Sequence, residues 1–239
     1  TLKKVAVATG GNYIWNVLAD TTAEVNATTG IATFSNLVLK EGSIVTFQYV
    51  VNTFATQNYK VPSEDADINT LSVRVKANES STTSDLYNLV DTITGLTAST
   101  RVYFLSEGED MRYEIKFGDD SVGRALKDGE VVMFEYLVTS GEQANDVDRF
   151  SYTGRMTDTL GQSYSPAAVT LTKVARSQNG TAAETIESIK YNAPRFYSSQ
   201  YRAVTAGDYA ILTKKVYPNA DAVVANGGDT LNPPVYRKV

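Results

Sequence analysis

The chain has 239 residues, 42% of them hydrophobic and 21% charged, with 22 Lys and Arg against 27 Asp and Glu and a formal net charge of −5. That balance disfavours binding to a phosphate backbone, which needs a basic surface to release counterions, and no apolar run approaches the roughly 20 residues of a membrane-spanning helix. Cys and His are both absent, which excludes disulfides, thiol nucleophiles, thiolate or imidazole metal sites and the Ser-His-Asp arrangement.

A chain of this length makes one large domain or two to three small ones, with enough buried surface to need no covalent staples. The opening Thr1-Leu2-Lys3-Lys4-Val5 lacks the pattern of a signal peptide. A start without Met and a stop at Arg237-Lys238-Val239 lead us to expect a fragment of a longer protein.

Most of the first 175 residues read as short strands divided by turn residues. In 43–51, Val45, Phe47, Tyr49 and Val51 share one face while Thr46 and Gln48 share the other, the period of a half-buried strand. Further strands are expected at 70–76 and 101–105, with a polar loop at 78–85 between them. Residues 130–138 repeat the first pattern, with Val132, Phe134, Tyr136 and Val138 inward. The likeness goes beyond period, because 39–51 (LKEGSIVTFQYVV) and 126–138 (LKDGEVVMFEYLV) agree at seven of thirteen positions. Upstream, Ala32-Thr33-Phe34 corresponds to Ile115-Lys116-Phe117. The reading is a duplicated β-hairpin module, each copy entered through an acid-Gly turn, Glu41-Gly42 and Asp128-Gly129. Chance likeness of two amphipathic strands is the alternative, although strand periodicity does not require the shared Leu-Lys-acid-Gly turn.

Another strand is expected at 168–174, followed by a loose Arg176-Ser177-Gln178-Asn179-Gly180 that marks the main domain boundary. Beyond it the period becomes helical. Thr181-Ala-Ala-Glu184 has the form of a capping box, with Ile186 and Ile189 on one face and closure before Pro194. A second helix starts at Thr205, with Asp208 three residues on, a stripe of Tyr209, Leu212 and Val216, Lys214 and Lys215 in the last turn, and Pro218 as its end. A short strand is expected at 222–225. The fold class is thus mainly β with an α+β C-terminal part, sandwich-like hairpin modules followed by an α-α-β segment. Three parts are expected: a β-module at 1–58, a β-domain with the second repeat copy at 59–180, and a small α+β domain at 181–239.

Carboxylates gather at Glu107, Glu109 and Asp110 and again at Asp119 and Asp120. A glycosidase needs two carboxylates set across a cleft, one of them with a raised pKa, which adjacent acids in Gly-rich turns do not supply. Calcium binding at these turns lacks the spacing of an EF-hand loop. Gly-Asp-Asp-Ser-Val-Gly (118–123) has two acids where a phosphate loop needs bare amides and a Lys, and Ser-Tyr-Ser-Pro (163–166) stands beside no base. No catalytic, cofactor-binding or metal-ligating residue and no cofactor is expected. The segment between the helices, Arg195-Phe196-Tyr197-Ser198-Ser199-Gln200-Tyr201-Arg202, is dense in the types that concentrate at protein interfaces; its alternative is a loop packed on its own domain. Arg195, Phe196, Tyr201, Arg202, Tyr209, Leu212 and Val216 are the interface candidates.

Two stretches resemble the wedge proteins of contractile-tail phage baseplates, the baseplate-J-like family. One is Tyr113-Glu-Ile-Lys-Phe-Gly-Asp-Asp-Ser-Val-Gly-Arg-Ala125, running on through Asp128-Gly129 to Ser140-Gly141 and Ala144-Asn145. The other is Ile189-Lys-Tyr-Asn-Ala-Pro194, then Tyr201-Arg-Ala-Val-Thr-Ala-Gly-Asp-Tyr209, Tyr217-Pro-Asn-Ala, Gly227-Gly-Asp229 and Asn232-Pro-Pro234. With the segment from Tyr59 to Leu105 the likeness covers most of 59–239. Asp120 stands where the family often has Gly, and Arg237 follows Tyr236 where Gly is frequent. The resemblance implies a non-enzymatic structural protein of the virion, a late protein assembled in the host cytoplasm. Its implied partners are a second copy of itself and other wedge proteins, with no nucleic acid, membrane or small-molecule substrate, in a baseplate that rearranges as the sheath contracts. A reading of a different class stands beside it: a carbohydrate-binding or adhesin-like β-module that uses some of its 15 Tyr residues as stacking platforms.

Overall fold

The computed structural model describes residues 1–108, 110, 112–182, 184–217, 220, 222–230 and 232–235. The protein is mainly β, with two helices in its C-terminal part. Its contacts divide it into two compact units, one of residues 1–140 with 146–177 and one of 141–145 with 178–239.

The first unit contains two larger sheets. The strands in chain order are β1 (Ala6–Gly10), β2 (Tyr13–Asn16), β3 (Lys40–Glu41), β4 (Ser43–Val50), β5 (Tyr59–Lys60), β6 (Ala66–Lys76), β7 (Asp85–Leu89), β8 (Val102–Glu107), β9 (Tyr113–Phe117), β10 (Val131–Val138), β11 (Ser151–Tyr152), β12 (Met156–Thr157) and β13 (Ser163–Tyr164). The four-stranded sheet runs β11-β1-β2-β3. Gly11 and Asn12, both at positive φ, join β1 to β2 with Gly10 opposite Tyr13, the two-residue turn whose twist matches a hairpin. Behind it Leu2, Val7, Ala8, Trp15 and Val17 are buried, with Phe34, Leu39 and Phe150 packed on them, and Trp15 meets Phe150 edge-on at 5.2 Å.

The seven-stranded sheet runs β4-β10-β6-β7-β8-β9-β5 and nearly closes on itself. Every neighbour is antiparallel except β7 and β8, which run parallel. Its core holds Val61, Val73, Val75, Ile115, Val132 and Phe134. Aromatic rings line it in edge-to-face contacts, Phe47–Tyr49, Tyr49–Tyr59, Tyr59–Phe117 and Tyr87–Phe117, at 4.9 to 5.6 Å between centroids, the geometry the ring quadrupoles favour. Burial pushes the phenols of Tyr59, Tyr87, Tyr103, Tyr113 and Tyr136 up from their ordinary range. Where β6 bulges opposite β10, the Thr70 hydroxyl accepts from the Leu137 N–H at 2.9 Å and donates to the Asp67 carbonyl at 2.7 Å.

The strands expected at 43–51, 70–76, 101–105 and 130–138 form as β4, β6, β8 and β10, with Val51, Arg101 and Glu130 just outside the observed strands. The hairpin duplication does not. β4 and β10 pair with each other, Phe47 opposite Phe134. Lys40–Glu41 pairs with β2, Ala32 makes only a bridge to Val25, and β9 lies between β8 and β5. The two similar segments are therefore one antiparallel pair and not two hairpins. Because β10 is flanked on both sides and β4 ends the sheet, Phe134 is 0% exposed and Phe47 38%. The strand expected at 168–174 is irregular beyond a 3₁₀ turn at Pro166–Ala168, and no strand forms at 222–225. The first run partly alternates and the second is a short apolar stretch, but no described strand lies alongside to pair with them.

The second unit carries α1 (Ile186–Ser199) and α2 (Ala206–Val216), which pack on each other. The Asn145 side chain fixes 141–145 to this unit, donating to the Gly180 carbonyl at 2.8 Å and accepting from its N–H at 2.9 Å.

Candidate interaction surface

The acidic turns use their carboxylates on their own backbones. In 118–123 the chain doubles back so closely that a Cβ on Gly118 would lie 2.2 Å from the Gly123 carbonyl, which excludes any side chain there. Asp119 Oδ1 accepts from the Ser121 and Val122 N–H groups, both at 2.9 Å, and these bonds, Val122's first, hold its carboxyl below the usual range. Asp120 sits at φ +64, a conformation glycine adopts without strain, and its Oδ1 accepts from Ala125 N at 2.8 Å. Lys60 Nζ lies 3.0 Å from Asp110 Oδ2 and lowers that carboxyl as well. Glu107 is exposed at the end of β8, and Glu109 lies outside the described residues. A general acid needs a raised pKa, and Asp110 and Asp119 are moved the other way. Among the described residues no group of three carboxylates is placed to hold a metal ion. Near 163–166, the Tyr164 hydroxyl donates to Asp158 Oδ2 at 3.2 Å, while Asp158 Oδ1 accepts from Leu160 and Gln162 N–H groups at 2.9 and 2.8 Å.

The two helices hold the interface candidates. The N-cap of α1 is Thr185, one turn later than expected: its Oγ1 accepts from Ser188 N at 3.2 Å. Glu184 does not close a capping box with Thr181. Its Oε1 accepts from Ser188 Oγ at 2.6 Å and Asn192 Nδ2 at 2.9 Å, and these bonds lower its pKa. Pro194 lies inside α1 and does not end it. It has no N–H for the Lys190 carbonyl, and on the next carbonyl Arg195 Nη1 donates to Tyr191 O at 2.6 Å with its guanidinium 3.6 Å from the Tyr191 ring centre. Gln200 and Tyr201, at φ +46 and +59, turn the chain towards α2. There the expected capping box forms: Thr205 Oγ1 accepts from Asp208 N at 3.2 Å, and Asp208 Oδ2 accepts from Thr205 N at 2.8 Å. Pro218, expected to end α2, lies outside the described residues, as do Tyr236 and Arg237.

Phe196 and Tyr201 meet edge-on at 4.8 Å, and Lys215 Nζ stands 4.3 and 4.4 Å from their ring centres while donating to the Tyr201 hydroxyl at 3.1 Å. Lys215, expected only to complement the helix dipole, is thus a cation–π partner. Arg202 instead donates to Gln200 Oε1 at 2.8 Å. Leu212 is half-buried, Tyr209 40% exposed and Val216 85% exposed. Outside the expected set, Ile186, Ile189, Tyr191, Tyr197, Val204 and Tyr217 are also exposed. Among the described residues of this unit only Ala144, Ser199 and Gly228 are buried, and both clusters of buried hydrophobic residues lie in the other unit. No protein-family model matches the chain, and no curated protein matches it in sequence.

Proposed function

We propose that this chain is a structural, assembly-forming part of a contractile-tail phage baseplate wedge, acting through contacts with a second copy and with other wedge proteins and not through a reaction. The observation that carries the reading is the uncovered apolar surface of the second unit: its two helices expose Ile186, Ile189 and Val216, the connection between them exposes Val204, and among the described residues no buried hydrophobic cluster lies in this unit. Exposed apolar surface concentrated on one small unit marks an interaction surface, and Arg and Tyr residues beside it are the types that anchor interfaces. A two-fold pair is the commonest homo-oligomer, and we expect it to bury more than roughly 1,000 Å². The sequence resemblance supplies the identity of the assembly, and Asp120 at φ +64 suits a turn where the family carries glycine.

The carbohydrate-binding alternative loses the Tyr rings of its main sheet as platforms, and the exposed Tyr191, Tyr197 and Tyr201 belong to the helical unit and not to a β-module. Tyr49, Tyr59, Tyr87, Tyr103 and Tyr136 pack into the core of the seven-stranded sheet, so they offer no stacking platform. Antibodies against the chain test the proposal on contractile-tail particles from its own source. Labelling at the baseplate end of the tail is the expected result; particles free of the chain, with retention on immobilised polysaccharide, would refute it.

A further inference from the structure

The end of the seven-stranded sheet is an edge strand of unusual composition. β4 is its terminal strand, and its eight residues, Ser43–Val50, include no charge and no Pro. Lys, Pro and bulges are the devices that keep an edge strand from pairing with another chain, and β4 pairs with β10 without a register shift. Ile44, Phe47 and Val50 are exposed along it.

The hydrogen-bond parity of this edge follows from its inner partner. Val51 N donates to Glu130 O at 2.8 Å, in the same register that sets Phe47 opposite Phe134. Odd-numbered residues of β4 therefore turn their N–H and C=O groups to β10, and even-numbered residues turn theirs to the outer edge. There Gln57 Nε2 donates to Val50 O at 2.8 Å, which covers the last outward carbonyl. Ile44, Thr46 and Gln48 remain, with no described strand on that side.

We infer that this edge takes the β4 strand of a second copy of the chain, antiparallel about a two-fold axis through Phe47. The argument is the pair already inside the molecule. β10 shares with the β4 segment the matched residues Val45/Val132, Phe47/Phe134, Tyr49/Tyr136 and Val51/Val138, and the two lie antiparallel with the matching Phe residues opposed. Putting a second β4 on the outer edge in the equivalent register opposes Phe47 to its counterpart, Ile44 to Val50, Val45 to Tyr49 and Thr46 to Gln48. Apolar residues meet apolar or aromatic ones, polar meet polar, and no charge faces its like. The competing occupant is β5 of the same chain. Tyr49 already reaches it, donating to the Lys60 carbonyl at 2.8 Å and packing on Tyr59.

The test uses the full chain, which has no Cys, so Phe47→Cys introduces a lone thiol. At the two-fold axis residue 47 forms a non-hydrogen-bonded pair, with Cα atoms about 4.5 Å apart, inside disulfide range. Thr46→Cys faces the counterpart of Gln48, which leaves its own counterpart on the diagonal. Mild oxidation should double the mass of the Phe47→Cys chain, with about tenfold more covalent dimer than Thr46→Cys gives. Adding Gln48→Pro, which deletes an outward N–H and leaves the bonds to β10, should abolish the cross-link while circular dichroism shows the sheet intact. Equal cross-linking of the two Cys variants, a cross-link that survives Gln48→Pro, or a Phe47→Cys chain that stays monomeric because β5 closes the gap would each overturn the inference.

Discussion

Phe47 and Phe134 are the same ring at matching places in two similar segments, and their surroundings differ because one strand has a neighbour on each side and the other has only one. Phe134→Ala should cost about 3–5 kcal/mol of the first unit's stability in urea unfolding, the usual penalty for emptying a buried aromatic site. Phe47→Ala should cost well under half of that, since 38% of the residue is already in water. The second residue-scale case is Glu130, which is 7% exposed. Its carboxylate takes both arms of the Arg124 guanidinium and the Lys127 N–H at 2.9 Å, while Arg124 also donates to the Tyr87 hydroxyl. Arg124→Met strands that carboxylate and should cost about 3 kcal/mol, whereas Arg124→Met with Glu130→Leu should recover much of the loss, because an unpaired buried charge is worse than none. Similar losses for single and double variants would show the pair contributes in some other way. The sequence names Glu130 as a strand residue but does not show that it is buried; Arg124, six residues upstream, becomes its partner only through the turn between them.

At the scale of elements, the period of the side chains located β4, β6 and β10, whose alternate residues face the core of the seven-stranded sheet, while β8 was marked by its apolar run. It did not say which strand lies beside which, and that is where the hairpin reading failed. It also credited 168–174 and 222–225 with strands that have no partner. β1 and β2 carry only small or mixed residues in weak alternation; the signal for their hairpin is Gly11-Asn12. The helices divide in the same way. The Thr205–Asp208 box was legible because both capping groups lie in the local sequence, while α1 begins at Thr185 since a second hydroxyl stands one turn after Thr181. Thr205→Ala should loosen α2 by about 1 kcal/mol, read as faster amide exchange across 206–216. Acid should act at the same place. Hydrogen bonds from Thr205 hold the Asp208 carboxyl below its ordinary value, so its contribution is present above the unfolded carboxylate pKa and is lost as pH falls through the folded one. Protection of α2 should drop in that acid window and not near neutrality, and Asp208→Asn should remove the dependence.

For the whole molecule, the exposed apolar residues of the second unit carry the account. The sequence marked Tyr209, Leu212 and Val216 as a stripe, and two of them do face solvent; it placed Arg195, Phe196 and Tyr201 in a loop, whereas Arg195 and Phe196 belong to α1. Tyr191 was not among the candidates because a helix that runs through Pro194 is not what local rules expect, and Val204 was not because it stands in the short connection before the Thr205 cap. An assembly protein has use for such a surface, and a self-contained domain does not. The most direct measurement is light scattering of the full chain at tens of micromolar, in a Gln48→Pro background so that the β4 edge takes no part, with and without Val216→Asp. Val216 is 85% exposed, so this change leaves folding intact while placing a charge in the apolar surface. We predict a dimer for the parent and a monomer for Val216→Asp; a monomeric parent, or a dimer indifferent to the substitution, would contradict the account.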